Sequence, residues 1–412
     1  MALRTDRLAA APACWLAAGF LLTFSSAFGQ TFFIAVFAED LKRAFAIGDG
    51  VLGASYTVAT LASSAILMTY GRVADRERLR WVAVATLGGL AATTLALAAA
   101  PVWWLLPVLF LGLRFFGQAM LGHVALTAMA RWFSVGRGKA IAVAAMGNPA
   151  AQAVFPVLGV ALASSIGWRW TWAAAAAFLV AVAVPLVVLL LRDEPGGDTS
   201  IVRGTPTGTA TVPDRVRHWT RGEVLRDPLF YFLMPGVLAP PFVVTGIFFH
   251  QVSLVHAKGL ELTWFTGWFA AHAGSSIATT FLTGWAVDRF GSAGVLPFFL
   301  VPLALGTGLL GLTDHPMVVP AFMVLAGMSS GAGQTLLGAL WADLYGTRHI
   351  GAIRALASSG GVFASAIAPG LMGVLIDWRV ALDSQLLALC GYTVASILLL
   401  GLAVPRVRAR NG

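Results

Sequence analysis

One charge in this chain stands where chemistry would have to account for it. Pro107 to Arg131 reads PVLFLGLRFFGQAMLGHVALTAMAR, an apolar run framed by Trp103 and Trp104 at one end and Trp132 at the other, with Arg114 inside it. Placing a guanidinium near the centre of a bilayer costs roughly 2.5–3.5 kcal/mol on insertion scales. A chain keeps such a charge where it faces a polar cavity or a partner. Gln118 lies one helical turn further on, extending the same face. The chemistry this pair suggests is recognition of an anion in a water-accessible cavity. The other reading is a structural arginine bonded to carbonyls of neighbouring helices.

The remaining polar residues of the apolar stretches are few. Gln30 sits within Phe28-Gly-Gln-Thr-Phe-Phe33, and Gln334 within Gly333-Gln-Thr-Leu-Leu-Gly338. Asn148 and Gln152 are i,i+4 neighbours, suited to a substrate or to a helix–helix hydrogen bond. His272 has Trp264, Trp268, Ser275 and Ser276 near it in sequence, and His250 precedes Gln251. No Asp or Glu occupies the middle of any apolar run; all 18 acids fall at ends or in loops. A carboxylate proton relay is therefore absent, and histidines are the groups left to titrate near neutral pH. His272 and His250 are candidates for substrate or proton contact, against neutral histidines bonded to a neighbouring helix. The two cysteines, Cys14 and Cys390, allow neither a metal cluster nor a disulfide framework. No metal, cofactor or nucleotide-binding pattern is expected.

The elements that position these residues follow from composition. A 412-residue chain that is 58% hydrophobic and 11% charged belongs in a membrane. The net charge of +9 does not point to nucleic acid, because the basic residues lie between the apolar runs. Twelve spans are read, at about 14–38, 50–70, 81–100, 102–130, 138–163, 168–191, 228–255, 262–287, 293–312, 316–340, 350–376 and 382–404. The first is too long for a signal-peptide core, although the small residues of Ser26–Gly29 would suit a cleavage site. Residues 192–227, rich in Pro, Gly, Thr and charge, read as a linker between halves 1–191 and 228–412. With a cytoplasmic N-terminus, 21 of the 27 Lys and Arg collect on the cytoplasmic side and five opposite, Arg114 being the last. Both termini are then expected inside the cell.

The halves repeat. Gly71-Arg-Val-Ala-Asp75-Arg76 recurs as Gly284-Trp-Ala-Val-Asp288-Arg289, 213 residues on; Gly117-Gln118 recurs as Gly333-Gln334 at 216; Pro156 recurs as Pro369 at 213. Trp168-Arg169 and Trp378-Arg379 follow. Six spans per half make this a parallel repeat, for which a binding site between the halves is expected.

These residues resemble the major facilitator superfamily over essentially the whole chain. The most specific element is the loop pattern G-x-x-x-D-R-x-G-R-R/K, matched here by Gly71, Asp75, Arg76 and Arg80; Arg78 and Leu79 depart from it. The second copy keeps Gly284, Asp288, Arg289 and Gly291. Arg131-Trp132-Phe133 followed by Arg137-Gly138-Lys139-Ala140 is similar to the loop before helix five in monocarboxylate and oxalate/formate porters. The drug-antiporter patterns are absent, since Arg114 is followed by Gly117-Gln118 and not by Gln-Gly, and helix five reads Gly147-Asn-Pro-Ala-Ala151. The resemblance implies an all-α membrane protein of twelve helices. It further implies that Asp75 and Asp288, with their Gly and Arg neighbours, latch the outward-open state against helix N-termini of the opposite half, near Ile350 and Lys139.

The expected function is secondary transport of a small organic anion, a carboxylate by preference, by alternating access in a bacterial-type inner (plasma) membrane, as a monomer, with protons as candidate coupling ions. The alternative is export of neutral or hydrophobic compounds with Arg114 structural. A membrane-embedded enzyme or sensor would need a clustered nucleophile and base or a metal set in the spans, and none is found.

Overall fold

Backbone amides and carbonyls in hydrocarbon have no water to bond, so apolar runs of this length satisfy them internally, as helices. A computed structural model describes residues 2–70, 77–133, 136–194 and 218–411. Among the described residues there is no strand, and nine helices are long and apolar enough to cross a membrane. Large apolar side chains such as Phe281, Phe298 and Leu312 stand exposed on the outside, the arrangement expected where the surrounding solvent is lipid. By internal contacts the chain divides into two units, Met1–Ile47 with Ser55–Thr209, and Gly48–Ala54 with Ala210–Gly412.

The first unit holds α1 (Ala2–Ser25), most of α2 (Asp49–Tyr70), α3 (Leu79–Ala98), α4 (Trp103–Trp132), α5 (Arg137–Ile166) and α6 (Trp168–Leu190). The expected first span is not continuous. After Ser25 the helix tightens into a 3₁₀ turn at Ser26–Gly29, Gln30 is extended at ψ 151°, and helix resumes at Thr31. Nor is α4 regular: residues Leu113–Leu121 wind as a π-helix, a rare i→i+5 form that clusters at functional sites. The two irregularities face each other. Gly29 and Gly117 meet so closely that a Cβ on Gly117 would lie 2.7 Å from the Gly29 Cα. Small residues also join α1 to α5, where the Thr23 hydroxyl donates to the Ala144 carbonyl. An aromatic cluster of Phe28, Phe33, Phe37, Phe155 and Trp172 packs within the unit, with contacting centroids 4.7 to 6.1 Å apart.

The second unit holds α7 (Pro228–Phe249), α8 (Phe269–Val295), α9 (Val301–Leu312), α10 (Val318–Tyr345), α11 (Ile350–Asp377) and α12 (Leu382–Asn411). Helical hydrogen bonding runs through Gly291, but its φ of 74° breaks α8 there, in the left-handed region that glycine adopts without penalty. That break is where the sequence reading separates its eighth span from its ninth. Helices α8 and α10 carry serines, threonines and glycines in place of leucines, and those residues interlock. Gly327 lies against Ser275 and the His272 carbonyl, Gly331 against the Ser276 carbonyl, and the Thr335 hydroxyl donates to the Thr280 carbonyl at 3.2 Å. In lipid this close approach of backbones, not apolar burial, is what holds helices together. Pro240 and Pro241 deprive α7 of two amide donors, releasing the carbonyls of Gly236 and Val237 from the helical ladder.

Three polar knots close the ends of this unit. Asp377 accepts from the amides of Asp49 (3.1 Å) and Gly50 (2.8 Å), the otherwise unbonded first donors of α2. Buried Lys258 donates to the Thr313 carbonyl, Asp314 and Asp383, tying three segments together. Asp227 caps α7 through the Leu229 amide and receives Tyr345 (2.8 Å) and both terminal nitrogens of Arg410.

Candidate functional site

In the first unit the guanidinium of Arg114 is 1% exposed, and its partners are neutral. Nε donates to the Thr60 hydroxyl at 3.1 Å, Nη1 to the Gly29 carbonyl at 3.1 Å, and its carbon lies 4.9 Å from the Tyr56 ring centroid. The Tyr56 hydroxyl in turn meets Thr31 at 2.5 Å. The broken first helix explains the carbonyl. In a regular helix Gly29 O would accept from the amide of Phe33, but that amide bonds Gln30 O instead. The break at Gln30 thus frees an acceptor, the Gly29–Gly117 contact brings it to α4, and Arg114 takes it. No carboxylate among the described residues lies within ion-pair distance of Arg114, so its charge is stabilised only by dipoles and a ring face.

The residues expected beside it are spread over several surfaces. Gln118 is half-buried; the π-helical winding between it and Arg114 replaces the i,i+4 geometry of the sequence reading. Gln30 is half-buried at the head of the turn that follows the break, its carbonyl accepting from Phe33 and Ile34. Asn148 donates to the Ser26 hydroxyl at 3.4 Å, a bond between α5 and the end of the first helix. Gln152 is half-buried one turn along α5.

In the second unit the structure brings together a group that charge counting did not anticipate. A cavity of about 450 Å³ opens between α7, α10 and α11. That volume falls in the usual range for small-molecule sites, about 300–1,000 Å³. Three helical faces build it by steps of three and four residues, the ordinary spacing of one helical face. Ser330, Gln334 and Gly338 come from α10, Arg354, Ser358 and Gly361 from α11, and Val237, Pro240 and Val244 from α7. Gln334, expected as a site residue, lines it. Arg354, which the positive-inside pattern assigns to the cytoplasmic edge, lines it as well. The signal that could have found Arg354 is its position four residues before Ser358 and seven before Gly361, on one face of α11.

The two histidines lie elsewhere. His272 is 6% exposed and packs edge-on against Phe248 at 5.2 Å, beside the α8–α10 seam. His250 ends α7, its Nε2 2.9 Å from the Pro369 carbonyl and its Nδ1 3.5 Å from Asp49. Of the loop residues, Gly71, Asp75 and Arg76 lie outside the described residues. In the second copy Gly284 is half-buried, while Asp288 and Arg289 are exposed, the Arg289 guanidinium 5.7 Å from the Phe290 ring.

Comparison with known proteins places this architecture. Residues 19–277 match the model of the Major Facilitator Superfamily. Among solved structures, a bacterial homologue of the human lysosomal transporter Spinster, inward-facing and unoccupied, aligns with a TM-score of 0.71 at 16% identity over 97% of both chains. The nucleoside transporter NupG aligns with a TM-score of 0.70 at 12% identity, over 95% of this chain and 98% of its own. At these identities the likeness is one of fold. No curated protein matches the sequence.

Proposed function

For a chain that belongs to the Major Facilitator Superfamily, and so is a multi-pass membrane transporter rather than an enzyme, we propose that the cargo is a small organic anion, carried by alternating access of the two halves. The observation that carries this reading is the unneutralised charge of Arg114, 1% exposed with no carboxylate partner among the described residues. A charge held among neutral dipoles and away from water is screened far less than one on a surface. It makes the polar interior of its unit attractive to anions, and the absence of acids in the spans leaves nothing to cancel it. The loop from Arg131 to Ala140, similar to that of monocarboxylate and oxalate/formate porters, supports a carboxylate. Gln118, Gln30, Gln334, Asn148 and Gln152 are proposed as polar contacts, His272 and His250 as contacts for substrate or proton, and Asp75 and Asp288 with their neighbours as the conformational latch. Both termini are proposed to be cytoplasmic in a plasma membrane, with the monomer as the working unit.

A second reading has its own observation. Thr60, the Gly29 carbonyl and the Tyr56 ring all give Arg114 contacts within the protein, as a purely structural arginine would have. On that reading the cargo is neutral or hydrophobic. Purified protein in proteoliposomes decides between them, offered radiolabelled short carboxylates, nucleosides and lipophilic drugs in parallel. The proposal expects saturable carboxylate flux and competition among carboxylates alone; flux of drugs or nucleosides without carboxylate flux overturns it.

A further inference from the structure

Resting on the anion reading above, we propose that the cavity between α7, α10 and α11 is a subsite for the head group of a small monoanion with a compact apolar body, and that Arg354 reads its charge. Among the described residues lining the cavity, Arg354 is the one that is charged, and none is Asp or Glu. Around it, Gln334, Ser358 and Thr245 present polar side chains that make no hydrogen bond to protein among the described residues. Ser330 is occupied within its own helix, donating to the Ala326 carbonyl at 2.9 Å. Gln334 on α10, Ser358 on α11 and Thr245 on α7 are therefore open to the cavity with their hydrogen-bonding capacity unspent.

The opposite wall is different in kind. Helix α7 offers Val237, Pro240, Pro241 and Val244, a rigid and mainly aliphatic surface whose one polar side chain is Thr245. A solute that satisfies both walls carries a charged, hydrogen-bonding end and an apolar flank. A dianion would leave its second carboxylate against that flank without a partner, which is costly. A neutral solute would leave the guanidinium fork without the carboxylate its geometry suits.

The fork is held in place by an absence. A Cβ on Gly338 would lie 2.8 Å from Arg354 Nη2, so the guanidinium rests on the bare backbone of α10, one turn from Gln334. Gly338 is thus a positioning residue. Adding a methyl group there pushes aside the end of one flexible side chain and nothing else within 4 Å but the same guanidinium carbon, at 3.7 Å. A charge that merely reached the membrane surface would not need that seat.

The test uses the purified full chain and isothermal titration with acetate, butyrate, hexanoate and benzoate, each beside its uncharged amide. At least one carboxylate should bind, with its amide at least tenfold weaker. Arg354→Gln should weaken that carboxylate by about tenfold or more and leave the amide unchanged; Arg354→Lys should recover part of the loss. Gly338→Ala should weaken the carboxylate several-fold with its melting temperature unchanged. Equal losses for acid and amide in Arg354→Gln would mean a structural role and overturn the subsite. Unaltered carboxylate binding in Arg354→Gln, with loss in Arg114→Gln, would overturn the subsite and spare the anion reading. If no carboxylate binds the unaltered chain, the reading and the subsite fall together.

Discussion

At the scale of single residues, the chain holds its charges in contrasting ways. Arg114 has neutral partners only, whereas Asp227 is surrounded by donors. For Arg114 the proposed role predicts that Arg114→Gln lowers carboxylate flux in proteoliposomes at least tenfold. Arg114→Lys should regain part of it, since an ammonium keeps the charge but not the planar fork. The structural alternative predicts loss of melting temperature and yield, with neutral cargo suffering as much as anionic cargo. For Asp227, burial by itself would raise the carboxyl group, but hydrogen bonds from Arg410, Tyr345 and the Leu229 amide outweigh it and hold it below the ordinary carboxylate range. A carboxyl lowered on folding stabilises the protein above its unfolded value of about 3.9, and that stability drains away as pH falls through the lower folded value. Asp227→Asn should therefore melt lower than the unaltered chain at neutral pH, and the gap should close below about pH 4. A constant gap across pH would exclude the ionised carboxylate as its cause.

At the scale of elements, irregularity is what supplies Arg114 with its backbone partner. The break at Gln30 and the π-helical stretch of α4 are coupled through the Gly29–Gly117 contact, and the carbonyl one of them releases is the one Arg114 bonds. Gly117→Ala should lower stability by about 1–3 kcal/mol, because the new methyl meets rigid backbone and not a movable side chain; it should also separate Arg114 from Gly29. A melting temperature unchanged in detergent would contradict the close approach. At the head of α2, Asp377→Ala removes an acceptor from two amides, and a capping loss of about 0.5–2 kcal/mol is expected. Hydrogen exchange at Asp49 and Gly50 should rise with it, and unaltered protection there would show that the cap is not made by Asp377.

For the whole molecule, transport depends on interconverting states, and the loop aspartates are the proposed control. Asp75→Asn should reduce transport while leaving melting temperature and substrate affinity nearly intact, because it acts on a latch worth roughly 0.3–1 kcal/mol and not on a pocket. Full transport by that variant would remove the latch assignment. Charge asymmetry predicts that a cysteine placed after Arg410 in an otherwise cysteine-free chain reacts with impermeant maleimide only in inverted vesicles. Labelling in intact cells would reverse the proposed topology.

The sequence by itself determined the membrane class, the helical fold and the family, since hydropathy, repeat landmarks and one loop motif each need only local or evenly spaced residues. It singled out Arg114 for a physical reason that needs no coordinates, the cost of a charge in hydrocarbon. Its gap between the eighth and ninth spans, 287 to 293, contains Gly291, where the structure breaks α8 at a positive φ. What Arg114 bonds was decided only in three dimensions, because the Gly29 carbonyl, 85 residues away in sequence, is released by the break at Gln30. Arg354 escaped for a related reason. A guanidinium in the first turns of a helix looks the same in sequence whether it reaches toward water or folds onto a neighbour, and only the bare backbone of Gly338, on another helix, turns it into a cavity.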